Sequence, residues 1–271
     1  SYALALNDAK NVTLDGLTMT GGLSVGGSEG ETPNCTAATA ATATLKNCTI
    51  TSGDWAAVCV QGGSQVTIES GTYAQNKDAT QYGSAIYIPS DNNFSGNERV
   101  NITAGTFIGN IKKNVETAVI SAAGGIFSVD PTDYLADGYI VCKHTDGYKI
   151  LTSGKAGAEI SGQLYADFTS AYNAAKDGDT IKLLGAAFIS KLKAGVTYDL
   201  NGFTLTYTGT GCSYKNQTMS FIDSSVSGTA RGGTLKMSGA KAGYAGITVG
   251  TVATLNVSNI HVAATKGDCF Y

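Results

Sequence analysis

One eight-residue phrase returns five times in the first half of this chain, and it leaves few folds open. Val12-Thr13-Leu14-Asp15-Gly16-Leu17-Thr18-Met19 is the first copy. The others run Ala43 to Ile50, Val66 to Tyr73, Val100 to Phe107 and, in weakened form, Ile120 to Phe127. Apolar and polar residues alternate through each copy, which is the pattern of a β-strand with one face buried. The third position is Leu14, Leu45, Ile68, Ile102 and Ala122, at gaps of 31, 23, 34 and 20 residues. Repeats at roughly 20–50 residues mark solenoids, and strand-like repeats mark a β-solenoid rather than a helical array. A single rung cannot bury its own apolar side chains, but stacked rungs bury a continuous column. Met19, Ile50, Tyr73, Phe107 and Phe127 are therefore expected to form one interior ladder.

A second strand belongs to each rung. Ala56-Ala57-Val58-Cys59-Val60 precedes Gly62-Gly63-Ser64 and the Val66 copy, and Ser84-Ala85-Ile86-Tyr87-Ile88 occupies the same place one rung later. Alternation puts Val58, Val60, Ile86 and Ile88 on one face, with Cys59 and Tyr87 on the other. Two insertions, Gly22 to Thr42 and Ala74 to Arg99, stretch the spacing. Long excursions from a solenoid wall often carry its function. The second insertion holds Tyr82, Asp91 and Asn92, with Trp55 and Tyr87 close by in the pattern. Aromatic rings beside Asp and Asn stack on sugars or anchor protein interfaces. Trp55, Tyr82, Tyr87, Asp91 and Asn92 are the candidate binding residues, although Trp55 would equally serve to pack a corner.

The pattern breaks between Ser128 and Gly157. Tyr139 to Lys143 and Tyr148 to Leu151 flank His144-Thr145-Asp146-Gly147, and Asp-Gly between apolar runs signals a hairpin. Tyr165, Phe168, Ala171, Tyr172 and Ala175 then recur at helical spacing, with Gly178 beyond the last turn. The repeat restarts at Val196 to Leu205 and continues at Gly233 to Met237 and Ala253 to Val262. The expected organisation is all-β: a first β-helix over 1–127, a cap or linker over 128–160, and a second β-helix over 161–271 that opens with a short capping helix.

The chain carries a formal net charge of -3, with 14% charged residues and no basic stripe. Nothing here neutralises phosphates, so nucleic acid is not an expected partner. No run of about 18 apolar residues appears, so no membrane-inserting helix is expected. The 35 glycines against 3 prolines suit many tight turns rather than a disordered linker. Six cysteines lack CxxC spacing and have only 2 histidines beside them, so neither a metal nor another cofactor is expected. Cys35, Cys48 and Cys59 are close enough in sequence to lie on adjacent rungs; a bridge among them and buried thiols both remain open. Asn-x-Thr triplets at Asn11, Asn47 and Asn101 fall inside the strand motifs, where a structural role is expected. The chain begins and stops in mid-pattern, as a piece of a larger protein would.

NVTLDGLTMTGG at 11–22, AYNAAKDGDTIKLLG at 171–185 and GVTYDLNGFTLT at 195–206 resemble right-handed parallel β-helix proteins of the pectate-lyase-like type. GGIFSVDPTDYLADGYIVCKHTDGYKIL at 124–151 resembles the closing segment of β-helices in large surface proteins of gut Gram-positive bacteria. The resemblance implies a secreted, bacterial cell-surface setting and joins the end of one β-helix to the start of another. Many β-helix relatives cleave polysaccharides, using calcium on clustered carboxylates and a basic residue. Here Asp15, Glu69, Asp91, Asp199 and Asp223 are scattered, and Arg99 abuts a strand. Asp15 and Glu69 occupy nearby template positions and would have to meet across rungs to serve glycoside hydrolysis. No Ser-His-Asp spacing supports nucleophilic catalysis, with His144 in a hairpin tip and His261 in a strand. The expected function is a non-catalytic adhesin that binds a host glycoprotein, glycan or immune protein. A polysaccharide lyase or glycoside hydrolase is the alternative, and a structural spacer the third.

Overall fold

The computed structural model describes residues 2–27, 40–76, 83–90, 97–210, 212–214, 216–239, 245–250, 253–265 and 268–270, and for 212–214, 245 and 268–270 the backbone alone. The molecule is all-β, its strands gathered into parallel sheets compatible with a β-helix-like solenoid. It divides into two compact units, Ser1–Val141 with Asp146–Ser153, and Cys142–Thr145 with Gly154–Tyr271.

In the first unit every third strand pairs. Leu4–Leu6, Leu23–Val25, Ala56–Val60, Ser84–Ile88 and Ile111–Lys113 make one parallel sheet. Val12–Asp15, Thr42–Lys46, Gln65–Ile68, Arg99–Ile102 and Val119–Ala122 make a second. Thr18–Thr20, Cys48–Thr51, Gly71–Ala74, Thr106–Ile108 and Ile126–Phe127 make the third. The repeat letters stack position by position. Leu14 lies opposite Leu45, Leu45 opposite Ile68, Ile68 opposite Ile102, and Ile102 opposite Ala122. A slip of one residue would turn this whole column to solvent, so the buried pattern itself fixes register.

The interior ladder forms as its letters imply. Met19 lies opposite Ile50, Ile50 opposite Tyr73, Tyr73 opposite Phe107, and Phe107 opposite Phe127. The rings of Tyr73 and Phe107 stack at 5.4 Å, those of Phe107 and Phe127 at 4.8 Å. Burying one such ring contributes roughly 1.5–3 kcal/mol by area alone. Burial desolvates the Tyr73 hydroxyl, which is satisfied by donating to the Ser70 carbonyl at 2.9 Å. Beyond Phe127 the parallel pairing stops, because Gly147–Thr152 lies antiparallel on Ile126–Phe127. Gly147 has φ +122°, and a Cβ there would stand 2.3 Å from the Phe127 carbonyl oxygen.

The second unit repeats the plan. Thr180–Leu183, Thr197–Asp199, Thr218–Ile222 and Thr254–Val257 stack in parallel. So do Ala187–Ile189, Thr204–Tyr207, Thr234–Met237 and His261–Ala264. Cys212–Tyr214, Ala245–Val249 and Asp268–Phe270 form a third sheet. Tyr198 and Phe221 stack at 5.4 Å inside. Ahead of these strands lies the one α-helix among the described residues, α1, Phe168–Ala174. The Asp167 carboxylate caps it by accepting from the Ser170 N–H at 2.7 Å. Helical spacing had included Tyr165, but that residue ends the strand Gln163–Tyr165, since the helix cannot start before its cap. The last carbonyls are held by Lys193, whose Nζ donates to Tyr172 at 2.6 Å and Ala175 at 2.9 Å.

Bridges among the described cysteines do not form. Cys48, Cys59 and Cys142 are buried free thiols. Cys48 belongs to the interior core while Cys59 faces the opposite side of its own sheet. Cys35 lies outside the described residues. Cys212 and Cys269 lie on strands two steps apart in one sheet. That separates their Cα atoms by roughly 9–10 Å, beyond the reach of about 7 Å for a disulfide. Asn11 and Asn47 take positive φ, 55° and 51°, a turn conformation that Asn tolerates.

Candidate functional site

The insert-bearing sheet of the first unit departs from the usual alternation. All five residues of Ala56–Val60 and all five of Ser84–Ile88 are buried. Val58, Val60, Ile86 and Ile88 belong to the interior core. Ala56, Cys59 and Tyr87 form a separate cluster on the other side, with Tyr2 and Trp55 packed against it. Both sides of this sheet are therefore covered, and the facing expected from alternation holds. The signal was present in the letters: AAVCV and SAIYI lack the polar alternate of a solvent-facing strand.

The register places Tyr87 beside Cys59. Tyr87 is only 6% exposed, and its hydroxyl accepts from Asn114 Nδ2 at 3.0 Å. Its ring supports this face from beneath rather than offering a stacking surface. Trp55 is half-buried just before Ala56–Val60, one rung before Tyr87, where its carbonyl accepts from the Ser84 N–H at 3.0 Å. Trp55 and Tyr87 thus come together in one cluster. Tyr82, Asp91 and Asn92 lie outside the described residues. Tyr2 packs against this cluster and Asn114 bonds to Tyr87, and neither carried a motif that singled it out.

A buried polar network closes the far end of these strands. Gln61 Nε2 donates to Ser24 Oγ at 3.0 Å and to the Gly26 carbonyl at 3.3 Å. Ser64 Oγ accepts from the Ala41 N–H at 2.9 Å. Glu98 is fully buried and takes the Gly63 N–H at 3.1 Å. Gly26 is required here, since a Cβ would lie 2.1 Å from the Gln61 carbonyl oxygen. Such satisfied networks rigidify the wall from which they rise. In sequence, the insertion Gly22 to Thr42 contains the strand Leu23–Val25 of this sheet, and Ala74 to Arg99 contains Ser84–Ile88.

The carboxylates considered for catalysis have other work. Asp15 and Glu69 do not form a pair, because Lys46 stands between them. Asp15 is opposite Lys46 in register, and Lys46 Nζ is 3.0 Å from Glu69. Two rungs separate the acids: Lys46 pairs with Glu69, and Asp15 accepts from Asn47 Nδ2 at 2.9 Å. Asp199 Oδ1 accepts from the N–H groups of Asn201 at 3.1 Å and Ser224 at 2.9 Å. Asp223 accepts from the N–H groups of Gly202 at 2.8 Å, Ser225 at 2.9 Å and Gly233 at 2.5 Å, and from the Ser225 hydroxyl. Burial pushes its pKa up, but these bonds outweigh burial and hold it below the ordinary carboxylate value. Both aspartates are turn anchors.

His144 ends the strand Tyr139–His144, its Nε2 4.0 Å from Asp167 Oδ2, near a cavity of about 330 Å³. Ser170 Oγ lies 3.3 Å from Thr145 Oγ1, so these contacts fasten the strand end to the capped start of α1. His261 is exposed on its strand. Arg99 Nη1 donates to the Glu98 carbonyl at 2.8 Å and the Thr117 carbonyl at 3.3 Å, holding the start of its strand to the turn before the next. Among the described residues no group of three or more His, Cys, Asp or Glu side chains is arranged to hold a metal. No family model, curated protein or solved structure matches the chain.

Proposed function

We propose that this chain is a non-catalytic binding module of a secreted bacterial cell-surface protein. Its scaffold is a right-handed parallel β-helix of the pectate-lyase-like type, and it recognises a host glycoprotein, glycan or immune protein. Handedness follows from the general rule for parallel crossovers, which are right-handed in about 98% of cases. The observation that carries the reading is the sheet holding Ala56–Val60 and Ser84–Ile88, covered on both sides, with Trp55 at its rim. The long insertions attach to that same sheet. A rigid wall that presents variable loops is a common way to build a recognition surface. Glu69 in an ion pair, Asp15 hydrogen-bonded to Asn47, and Asp199 and Asp223 anchoring turns favour binding over polysaccharide cleavage.

The test immobilises the whole chain against mucin, serum proteins and secretory immunoglobulin, beside Trp55→Ala and a variant lacking 77–82. Saturable binding that weakens at least tenfold in either variant, at unchanged circular dichroism, supports the reading. Cleavage of a polysaccharide by the purified chain would replace it with the enzyme, and neither activity would leave a spacer.

A further inference from the structure

A groove of about 540 Å³ on the second unit lies apart from every residue discussed above as a candidate site. We infer that it is a carbohydrate subsite that takes a neutral, hydroxyl-rich saccharide. The groove follows the turns that enter three stacked strands, Thr180–Leu183, Thr197–Asp199 and Thr218–Ile222. The Gly178 N–H donates to the Gly195 carbonyl, and the Gly195 N–H to the Thr218 carbonyl, both at 2.8 Å. These bonds fix the spacing of the turns.

The floor is bare by necessity. Gly195 has φ +74°, and a Cβ there would stand 1.6 Å from Asp177 Oδ1. The Asp177 carboxylate therefore lies across the Gly195 backbone. Gly178 and Ala194 extend the same small-residue floor. Around it stand Asp177, Thr197, Asn216, Gln217, Thr218 and Ser220.

The chemistry of this lining selects the ligand class. One carboxylate accepts, two carboxamides donate and accept, and three hydroxyls do both. Asp177, Asn216 and Gln217 are exposed or turned to the groove, and among the described residues none of their side chains is spent on an internal hydrogen bond or ion pair. Ser220 Oγ accepts from Asn256 Nδ2 at 3.2 Å, which leaves its own proton to donate. Among the described residues that line the groove the one charged side chain is Asp177, which repels an anionic ligand. What remains is a ligand rich in neutral donors and acceptors, held by hydrogen bonds over a flat floor. The volume falls within the roughly 300–1,000 Å³ of ordinary small-ligand sites.

This site is independent of the insert-bearing sheet in the first unit, so either stands if the other fails. The test titrates the whole chain with neutral probes (maltotriose and N-acetyllactosamine) and acidic ones (trigalacturonate and sialyllactose), followed by saturation-transfer NMR and calorimetry. The expected result is saturable binding of a neutral probe at millimolar or tighter affinity. It weakens at least tenfold in Gln217→Ala and Asp177→Asn, and persists in Trp55→Ala. Gly195→Ala, which displaces the Asp177 carboxylate, weakens it as well. No saturable neutral probe, a preference for the acidic probes, or affinity unchanged in both Gln217→Ala and Asp177→Asn would overturn the proposal.

Discussion

The two units place aspartates in nearly the same phrase and use them differently. In the first, Leu14-Asp15-Gly16 ends a strand, and Asp15 is exposed. It meets Asn47 Nδ2 at 2.9 Å, one step along a surface row with Lys46 and Glu69. In the second, Tyr198-Asp199-Leu200-Asn201-Gly202 ends a strand, and Asp199 is buried. Together with Asp223 one rung later, it takes the N–H groups of the adjoining turns. A solvated carboxylate in a row of opposite charges contributes little, since water and salt screen it. A buried carboxylate that satisfies several backbone donors cannot be removed without stranding them. The lesson is that a carboxylate's letter says little about its role in such a coil; burial decides whether it is decoration or structure.

The sharpest way to break this contrast is Asp223→Ala. It strands three N–H groups at about 1–3 kcal/mol each, so a loss of at least 3 kcal/mol in urea unfolding is expected. A loss below about 1 kcal/mol would erase the distinction between the units. Acid titration sharpens the same point. The folded pKa of Asp223 is lowered from the ordinary 3.8, so its contribution is complete above that value. It fades as pH falls through the folded value. The urea midpoint of the wild type should hold between about pH 7 and 5 and drop below about pH 4. Asp223→Asn should start lower and drop less steeply over that acid range. Asp199→Ala, which strands two N–H groups, should cost about 2 kcal/mol. Lys46→Met is the smallest change, at most about 1 kcal/mol, and the difference should vanish in 1 M salt.

Much of the coil was legible because its letters repeat. The column from Leu14 to Ala122 and the ladder from Met19 to Phe127 follow from template position alone, since a period of two leaves only one facing. Cys59 and Tyr87 were readable as outward for the same reason. What covers them was not, because neighbouring letters do not encode contacts with Tyr2 or Asn114 far along the chain. Tyr165 looked helical by spacing, yet the Asp167 cap starts the helix two residues later. Lys193 closes that helix from across a turn, a contact no local pattern announces. Asp15 and Glu69 looked like neighbours until register put Lys46 between them. Of the candidate binding residues, the closeness of Trp55 and Tyr87 was foreshadowed by their adjacent rungs, whereas the burial of the Tyr87 ring was not.

Both units rest on one claim, that residues at equal template positions stack in register. A crystal structure of the chain tests it most directly. The account predicts Leu45, Ile68 and Ile102 facing inward at successive steps of about 4.8 Å, with Thr67 and Asn101 facing outward between their neighbours. A one-residue slip that turned Thr67 or Asn101 into the core, or an antiparallel pairing of these strands, would contradict it.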